Sequence, residues 1–351
     1  MLLVIAALAA AGALTGVISA TAAPGPAPTA PVLDPAPIPT ATSDDGSRVV
    51  AEQEEGLYTP YDGQVIDISI QSTAMQALVH AFLLLPKTWA QNPAQTYPAM
   101  YLLSGAGTSQ FDWASWISGG KMLPFMAGRQ VITVMPEDGD AGFYTNWVGA
   151  SKVFTATRPQ WQTFHTVELP QLLARGYRTN GVNTIAGISD SGMGVIDYPA
   201  MNPGMFKAAA CLSCLLDLQN PGSVLVVEEA EMRIGDNGDG PFGSPFGAGS
   251  WAAHNPENLL AQFKASGTTL WLGSGNGSPG PGDPPAFQLD SFVYEENALL
   301  QGYVFSLRAR AAGISTTVDY WGNGDHNWPE WALNFPTAYA QTLAPAMGVP
   351  G

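Results

Sequence analysis

The stretch Gly187-Ile188-Ser189-Asp190-Ser191-Gly192-Met193-Gly194 sets two hydroxyls two residues apart among small residues. A serine becomes an exposed nucleophile where a strand turns abruptly into a helix, and such a turn tolerates only small residues two places before and after it. Centred on Ser189, those places are Gly187 and Ser191, and the apolar run "NTIAGI" ends just before the serine. Centred on Ser191, they are Ser189 and Met193, and methionine is too large. Ser189 is therefore the expected nucleophile, with Ser191 as the small residue that permits the turn. A glycine-rich strand-to-helix turn without chemistry, or a phosphate loop, draws on similar residues, but no lysine follows here to reach a phosphate.

A nucleophilic serine needs a base, and the base needs a carboxylate to fix its tautomer and stabilise the imidazolium. An elbow of this type is followed along the chain by the acid and then the histidine. His80 and His165 precede Ser189 and are excluded by that order. His254 lies in an acid-rich stretch, whereas His326, in "GNGDHNW", comes directly after the last predicted strand. His326 is the expected base. "LDSFVYEEN" offers Asp290, Glu295 and Glu296 as the acid, and the pattern alone does not choose among them. The oxyanion hole is expected from two main-chain amides: Asp190, after the nucleophile, and Ala106 in "LLSGAG", where Gly105 and Gly107 free the backbone.

These groups must be held by strands that end in loops. "VIDISI" and "VHAFLLLP" read as an antiparallel start, and "PAMYLLSGAG" and "QVITVMPE" as buried parallel strands. "TFHTVELPQLLARGY" has helical spacing. The segment after the elbow reads as a helix interrupted at Pro199, and a long helix spans roughly Asp290 to Ala312. Strands alternating with helices imply a mostly parallel central sheet with helices on both faces. With the elbow and its residue order, this predicts an α/β-hydrolase fold in one α/β domain from about Tyr58 to Met347. The long Gly, Pro and acid-rich stretch from Asn220 to Asn255 is expected to be an insertion over the site.

The chain has 351 residues, 46% of them hydrophobic, which is ample for a large core. A net charge of −16 with only 13 Lys and Arg argues against nucleic acid as a partner, since phosphate binding needs cations. Residues 1–22 read as a signal peptide ending in small residues, with retention as a membrane anchor as the alternative. Residues 23–57 read as a Pro/Ala/Thr-rich linker. The protein is expected to be secreted or held in the cell envelope, and to act as a monomer. Cys211 and Cys214 have C-x-x-C spacing but no second pair or nearby histidine to complete a zinc set, and are read as small buried strand residues. The chemistry calls for no metal or organic cofactor.

Together "AMYLLSG", "FYTNW", "ELPQLL", "GISDSG", "CLLD", "HNPENL", "LWLGSGNGSP" and "DHNW" resemble, in order and spacing, the antigen 85 type mycolyltransferases of the esterase D branch of α/β-hydrolases. The resemblance implies transfer of a long acyl chain between trehalose-type glycolipids and cell-envelope acceptors, with Ser189 as nucleophile and His326 as base. It implies Glu295 as the acid, at the family's spacing of roughly 30 residues before the histidine, with Asp290 second. Trp328 matches the family's tryptophan at the acyl site. One departure stands out: where the family reads D-G-x-R and holds trehalose, this chain has Ser104-Gly105-Ala106-Gly107. Ser104 and Gly107 thus occupy the substrate positions without the carboxylate or the guanidinium. A glycolipid or acyl ester is the expected substrate, and a cell-wall glycan or protein hydroxyl the expected acceptor. A secreted carboxylesterase with the same triad is the alternative, and a non-catalytic envelope or adhesion protein a further one.

Overall fold

The computed structural model describes residues 40–54, 61–106, 115–247 and 249–351. The expected signal peptide lies outside the described residues, as does residue 107. Among the described residues no helix is long and apolar enough to cross a membrane.

Nine strands form one sheet: β1 (Arg48–Glu54), β2 (Gln64–Ser72), β3 (Ala77–Leu85), β4 (Tyr97–Leu103), β5 (Ile132–Pro136), β6 (Thr179–Ile188), β7 (Phe206–Leu212), β8 (Thr269–Gly275) and β9 (Thr316–Gly322). Their order is β1-β2-β3-β5-β4-β6-β7-β8-β9. Pairing is antiparallel from β1 to β5 and parallel from β5 through β9. The chain reverses its direction of travel around β4, so a crevice opens beyond the carboxyl ends of β4 and β6, the place where such sheets bind ligands.

The sequence of β4, YPAMYLL, is buried at every position, as expected of a central strand covered on both faces. Alternate side chains feed two cores. Tyr97, Ala99, Tyr101 and Leu103 pack with Leu169, Leu172, Val195 and Phe305 on one face. Met100 and Leu102 pack with Trp116, Trp331, Phe335 and Tyr339 on the other. The helices behind these residues are α1 (Leu169–Gly176), α2 (Gly192–Met201) and α3 (Leu289–Ala311) on the first face and α4 (Trp328–Ala338) on the second.

The structure departs from the sequence reading in three places. Arg48–Glu54, assigned by composition to the linker, pairs with β2 as an exposed edge strand, so the folded unit begins before Tyr58. Its polar, outward-facing residues hide it from a search for apolar runs. Pro199 does not interrupt α2, which continues to Met201, with Asn202 N–H closing onto the Tyr198 carbonyl. Burial of residues 192–200 offsets the one helical bond a proline removes.

The described part of the Asn220–Asn255 stretch is a helix, Pro221–Ile234, followed by a short helix, Asp239–Phe242, and turns. Asn220 caps its start by accepting Gly222 N–H at 2.9 Å, and Gly235 closes it at φ 87°. Val227, Ala230, Phe242 and Trp251 pack with Phe143 and Met193 in a small core beside Ala106. The described part of the stretch flanks the crevice: none of its described residues lines the cleft, and Glu229 meets the rim by accepting the Tyr294 hydroxyl at 2.9 Å.

Candidate active site

At the end of β6 the chain turns through Ser189 with φ 56°, a left-handed conformation that a residue with a side chain adopts at a cost of roughly 1–3 kcal/mol. A single 3-10 turn, Ser189–Ser191, then leads into α2. A Cβ at position 187 would overlap the Ser191 hydroxyl and Val195, and one at position 192 would overlap the Leu215 carbonyl and Cys214. The two serines part company here. Ser191 is fully buried and its hydroxyl donates to the Ile188 carbonyl at 2.7 Å, whereas Ser189 lines an open cleft of about 440 Å³.

His326 follows β9 and reaches the same tip, with Nε2 at 3.0 Å from Ser189 Oγ. Its Nδ1 lies 2.7 Å from Glu295 Oε2. Glu295 is completely buried, and its other oxygen accepts from the Ser213 hydroxyl at 2.7 Å and from Gly275 N–H at 2.6 Å. Asp290, the second candidate for the acid, is exposed on the first turn of α3, where its carboxylate accepts the next amide, Ser291 N–H, at 2.9 Å. It faces the cleft and not the imidazole. Glu296 is half-buried on another face of the helix. Glu295 lies on a buried stripe of α3 with Ser291, Ala298, Gly302, Phe305 and Ala309, which Asp290 and Glu296 do not share.

Four supporting residues escaped the sequence reading. Ser213 has φ 53° and bridges Glu295 to Trp331, whose indole N–H donates to its hydroxyl at 3.0 Å. The Trp331 ring also stands edge-on to His326, centroids 5.0 Å apart. Ser291 accepts the His326 backbone N–H at 3.0 Å, and Asp325 accepts it at 2.8 Å. A serine just beyond a central strand, in "CLSCLLD", was the available signal for Ser213.

One of the two expected oxyanion donors is already engaged in this structure. Ala106 and Asp190 do come together at the cleft, but Ala106 N–H donates to Asp190 Oδ1 at 2.5 Å, so that amide is taken by its neighbour's carboxylate. An acidic side chain directly after the nucleophile is within reach of the β4 loop, which a reading of main-chain groups alone leaves out. Of the expected substrate residues, Trp328 lines the cleft and packs against Trp116 and Trp331, centroids 5.3 and 5.4 Å away. Ser104 is buried, its carbonyl accepting the Tyr144 hydroxyl at 2.7 Å, and it does not line the cleft. Gly107 lies outside the described residues.

The other histidines have structural surroundings. Burial pushes the His165 imidazole down to about 3, and its nitrogens lie 2.7 Å from the Tyr198 hydroxyl and the Glu137 carbonyl. His254 Nδ1 meets Asp197 at 2.9 Å; burial pushes that carboxyl up to about 6, against the opposing pull of the histidine. His80 pairs with Asp67 at 3.2 Å. Cys211 and Cys214 are buried free thiols. Among the described residues no group of three or more His, Cys, Asp and Glu is placed to hold a metal ion.

An open, mostly parallel sheet with a strained serine elbow between strand and helix is the architecture of an α/β-hydrolase. The chain belongs to the esterase family, whose model matches residues 72–342. It is an enzyme of the esterase and acyltransferase class. It is 29% identical to the diacylglycerol acyltransferase/mycolyltransferase Ag85B of Mycobacterium intracellulare, over 75% of this chain and 79% of that one. To the protein of the same name from Mycobacterium avium it is 30% identical, over 70% of this chain and 74% of that one. Among solved structures it resembles Mycobacterium tuberculosis MPT51 (FbpC1), with a TM-score of 0.61 at 24% identity, covering 82% of this chain and 96% of that one. An S-formylglutathione hydrolase from Agrobacterium tumefaciens has a TM-score of 0.56 at 16% identity, covering 86% and 99%.

Proposed function

We propose that this enzyme is a serine acyltransferase that carries a long-chain, mycolic-type acyl group between trehalose-type glycolipids and cell-envelope acceptors, working in the envelope to which its apolar N-terminus directs it. The observation that carries the reading is the continuous chain of contacts Ser189–His326–Glu295, 3.0 and 2.7 Å, at the tip of an elbow in an open cleft. In this reading His326 Nε2 takes the Ser189 proton as Oγ attacks the ester carbonyl, and buried Glu295 stabilises the imidazolium. The Asp190 amide and a donor from the loop after β4 receive the oxyanion. The imidazolium passes its proton to the departing sugar oxygen, leaving the acyl group on Ser189. An acceptor hydroxyl then repeats the sequence in reverse, giving its proton to His326 and expelling the serine. The Trp328 and Trp331 faces supply an apolar wall for the chain of the donor.

Hydrolysis by the same residues is the second reading, and one observation favours it. Where the antigen 85 pattern has an Asp and an Arg for trehalose, the described part of this loop has a buried Ser104 and the half-buried Gly105 and Ala106, with no charge of its own to hold a sugar. The deciding measurement uses purified protein, a mycolate ester donor and rising acceptor. Acceptor ester must come to dominate; free acid dominating at high acceptor would sink the transferase and leave the esterase. A fluorophosphonate probe that fails to label Ser189 in the folded protein would instead favour a non-catalytic binding protein.

A further inference from the structure

We propose that Asp190 is a resident anion of the oxyanion hole, latched onto the Ala106 amide, which it must surrender before Ser189 can be acylated. The inference rests on the reading of Ser189 as the nucleophile. In an elbow, the amide after the nucleophile and an amide from the loop after a neighbouring strand converge where the substrate's carbonyl oxygen becomes an oxyanion. Here the loop after β4 runs close against the elbow. A Cβ on Gly105 would stand 3.0 Å from Ser189 Cβ and 3.4 Å from Asp190 Oδ1, so the carboxylate lies in the gap between loop and elbow. Ala106 and Ser189 line one cleft, which puts the Ala106 amide at the reacting end.

That amide has one hydrogen, and it is already given to Asp190 Oδ1 at 2.5 Å. Bonds of an amide to a carboxylate are roughly twice as strong as those between neutral groups. Asp190 is only 2% exposed, so water competes little for it. An acyl oxygen must therefore take the hydrogen from a better acceptor than itself. It must also develop negative charge beside a carboxylate, and like charges at that range oppose one another. The ground state shown is a closed hole. Opening it requires the Asp190 side chain to release the amide while its own main-chain N–H stays in place, which makes Asp190 a positioning residue for the β4 loop that restrains acylation.

The test compares wild type with Asp190→Ala and Asp190→Asn in the full chain, measuring the pre-steady-state burst of p-nitrophenol released from p-nitrophenyl butyrate as Ser189 is acylated, the ester's binding constant from the concentration dependence of the burst rate, and the melting temperature. Removing one oxyanion donor slows hydrolases by about 10²–10³-fold. Freeing one is expected to speed acylation by Asp190→Ala about ten- to a hundredfold, with the binding constant of the ester unchanged. Asp190→Asn, which keeps an acceptor but no charge, is expected to fall between. Faster acylation without a change in the ester's binding constant is a readout that mere loosening of the loop would not produce, since loosening lowers rate and melting temperature together. Should Asp190→Ala not fold, Asp190→Asn decides alone, and it must exceed wild type. Wild type acylated on Ser189 with both folded variants equal or slower overturns the latch and leaves the serine mechanism standing. No burst in any of the three proteins overturns both.

Discussion

Both carboxylate oxygens of Glu295 have donors: one faces His326, the other receives Ser213 and Gly275 N–H. A charge with no exposure is tolerable only with its lone pairs filled, and this set of donors also fixes the direction in which the carboxylate points. With Glu295 as the triad acid, Glu295→Gln is expected to lower kcat by about 10³–10⁴-fold, because the wrong imidazole tautomer is favoured. Asp290→Asn is expected to stay within a few-fold. Turnover of an activated ester by the two variants checks the assignment, and equal activity in both would exclude both from the triad. Ser213→Ala removes one Glu295 donor and leaves the Trp331 indole N–H without its acceptor, a loss of about 1–3 kcal/mol in stability. Chemical denaturation measures it; a change under about 0.5 kcal/mol, the size typical of surface substitutions, would show that the bridge is not structural.

The strand-to-helix turn depends on space as much as on torsion. Strained Ser189 is held because β6 before it and α2 after it are both buried, so the turn between them has little freedom to relax. Gly187 faces Ser191 and Val195 so closely that any side chain must displace one of them. Gly187→Ala is expected to destabilise the protein by about 1–3 kcal/mol, in the range of overpacked cores, and to reduce Ser189 reactivity with a fluorophosphonate by more than the fold is weakened. Melting temperature and labelling rate measured together test this. A variant that melts lower but labels at the wild-type rate would mean that the elbow re-forms around the methyl group.

At the scale of the whole molecule, an acidic chain has placed carboxyls inside its fold. Glu231 is fully buried, neither of its side-chain oxygens has a hydrogen-bond partner, and burial, aided by the charge of Asp236, pushes it up to about 9 from 4.5. The folded state thus keeps a proton that the unfolded chain has lost, and stability falls as pH rises through the window from about 4.5 to about 9. The loss reaches about 3 kcal/mol by pH 7. His165 acts in the opposite sense, but only between about 3 and 6.5, so above pH 6.5 its contribution is constant. Glu231→Gln keeps the shape and the neutral polar group without a proton to lose. It is expected to raise the melting temperature at pH 8 and to flatten its decline between pH 7 and 9; parallel curves for the two proteins would show that Glu231 is ionised in the fold.

What could be read from the chain itself was local or ordered along it. The small residues around Ser189 permit one turn and point to one nucleophile, the apolar runs ending in loops mark the parallel strands, and chain order together with the place after the last strand points to His326 as the proposed base. Position narrows the acid to Asp290, Glu295 and Glu296, and only the family resemblance prefers Glu295; the burial that separates Glu295 from Asp290 is set by packing. Strand β1 was hidden because an edge strand buries few side chains, and the Pro221–Ile234 helix because its surroundings are rich in Gly and Pro. Only the tertiary structure decided contacts between distant segments. Ser213 meets Glu295 across 82 positions, and the Asp190 carboxylate meets the Ala106 amide across 84. Residue type and spacing specify what a side chain is able to do, but which donor a buried carboxylate takes depends on how strands far apart in the chain are brought side by side.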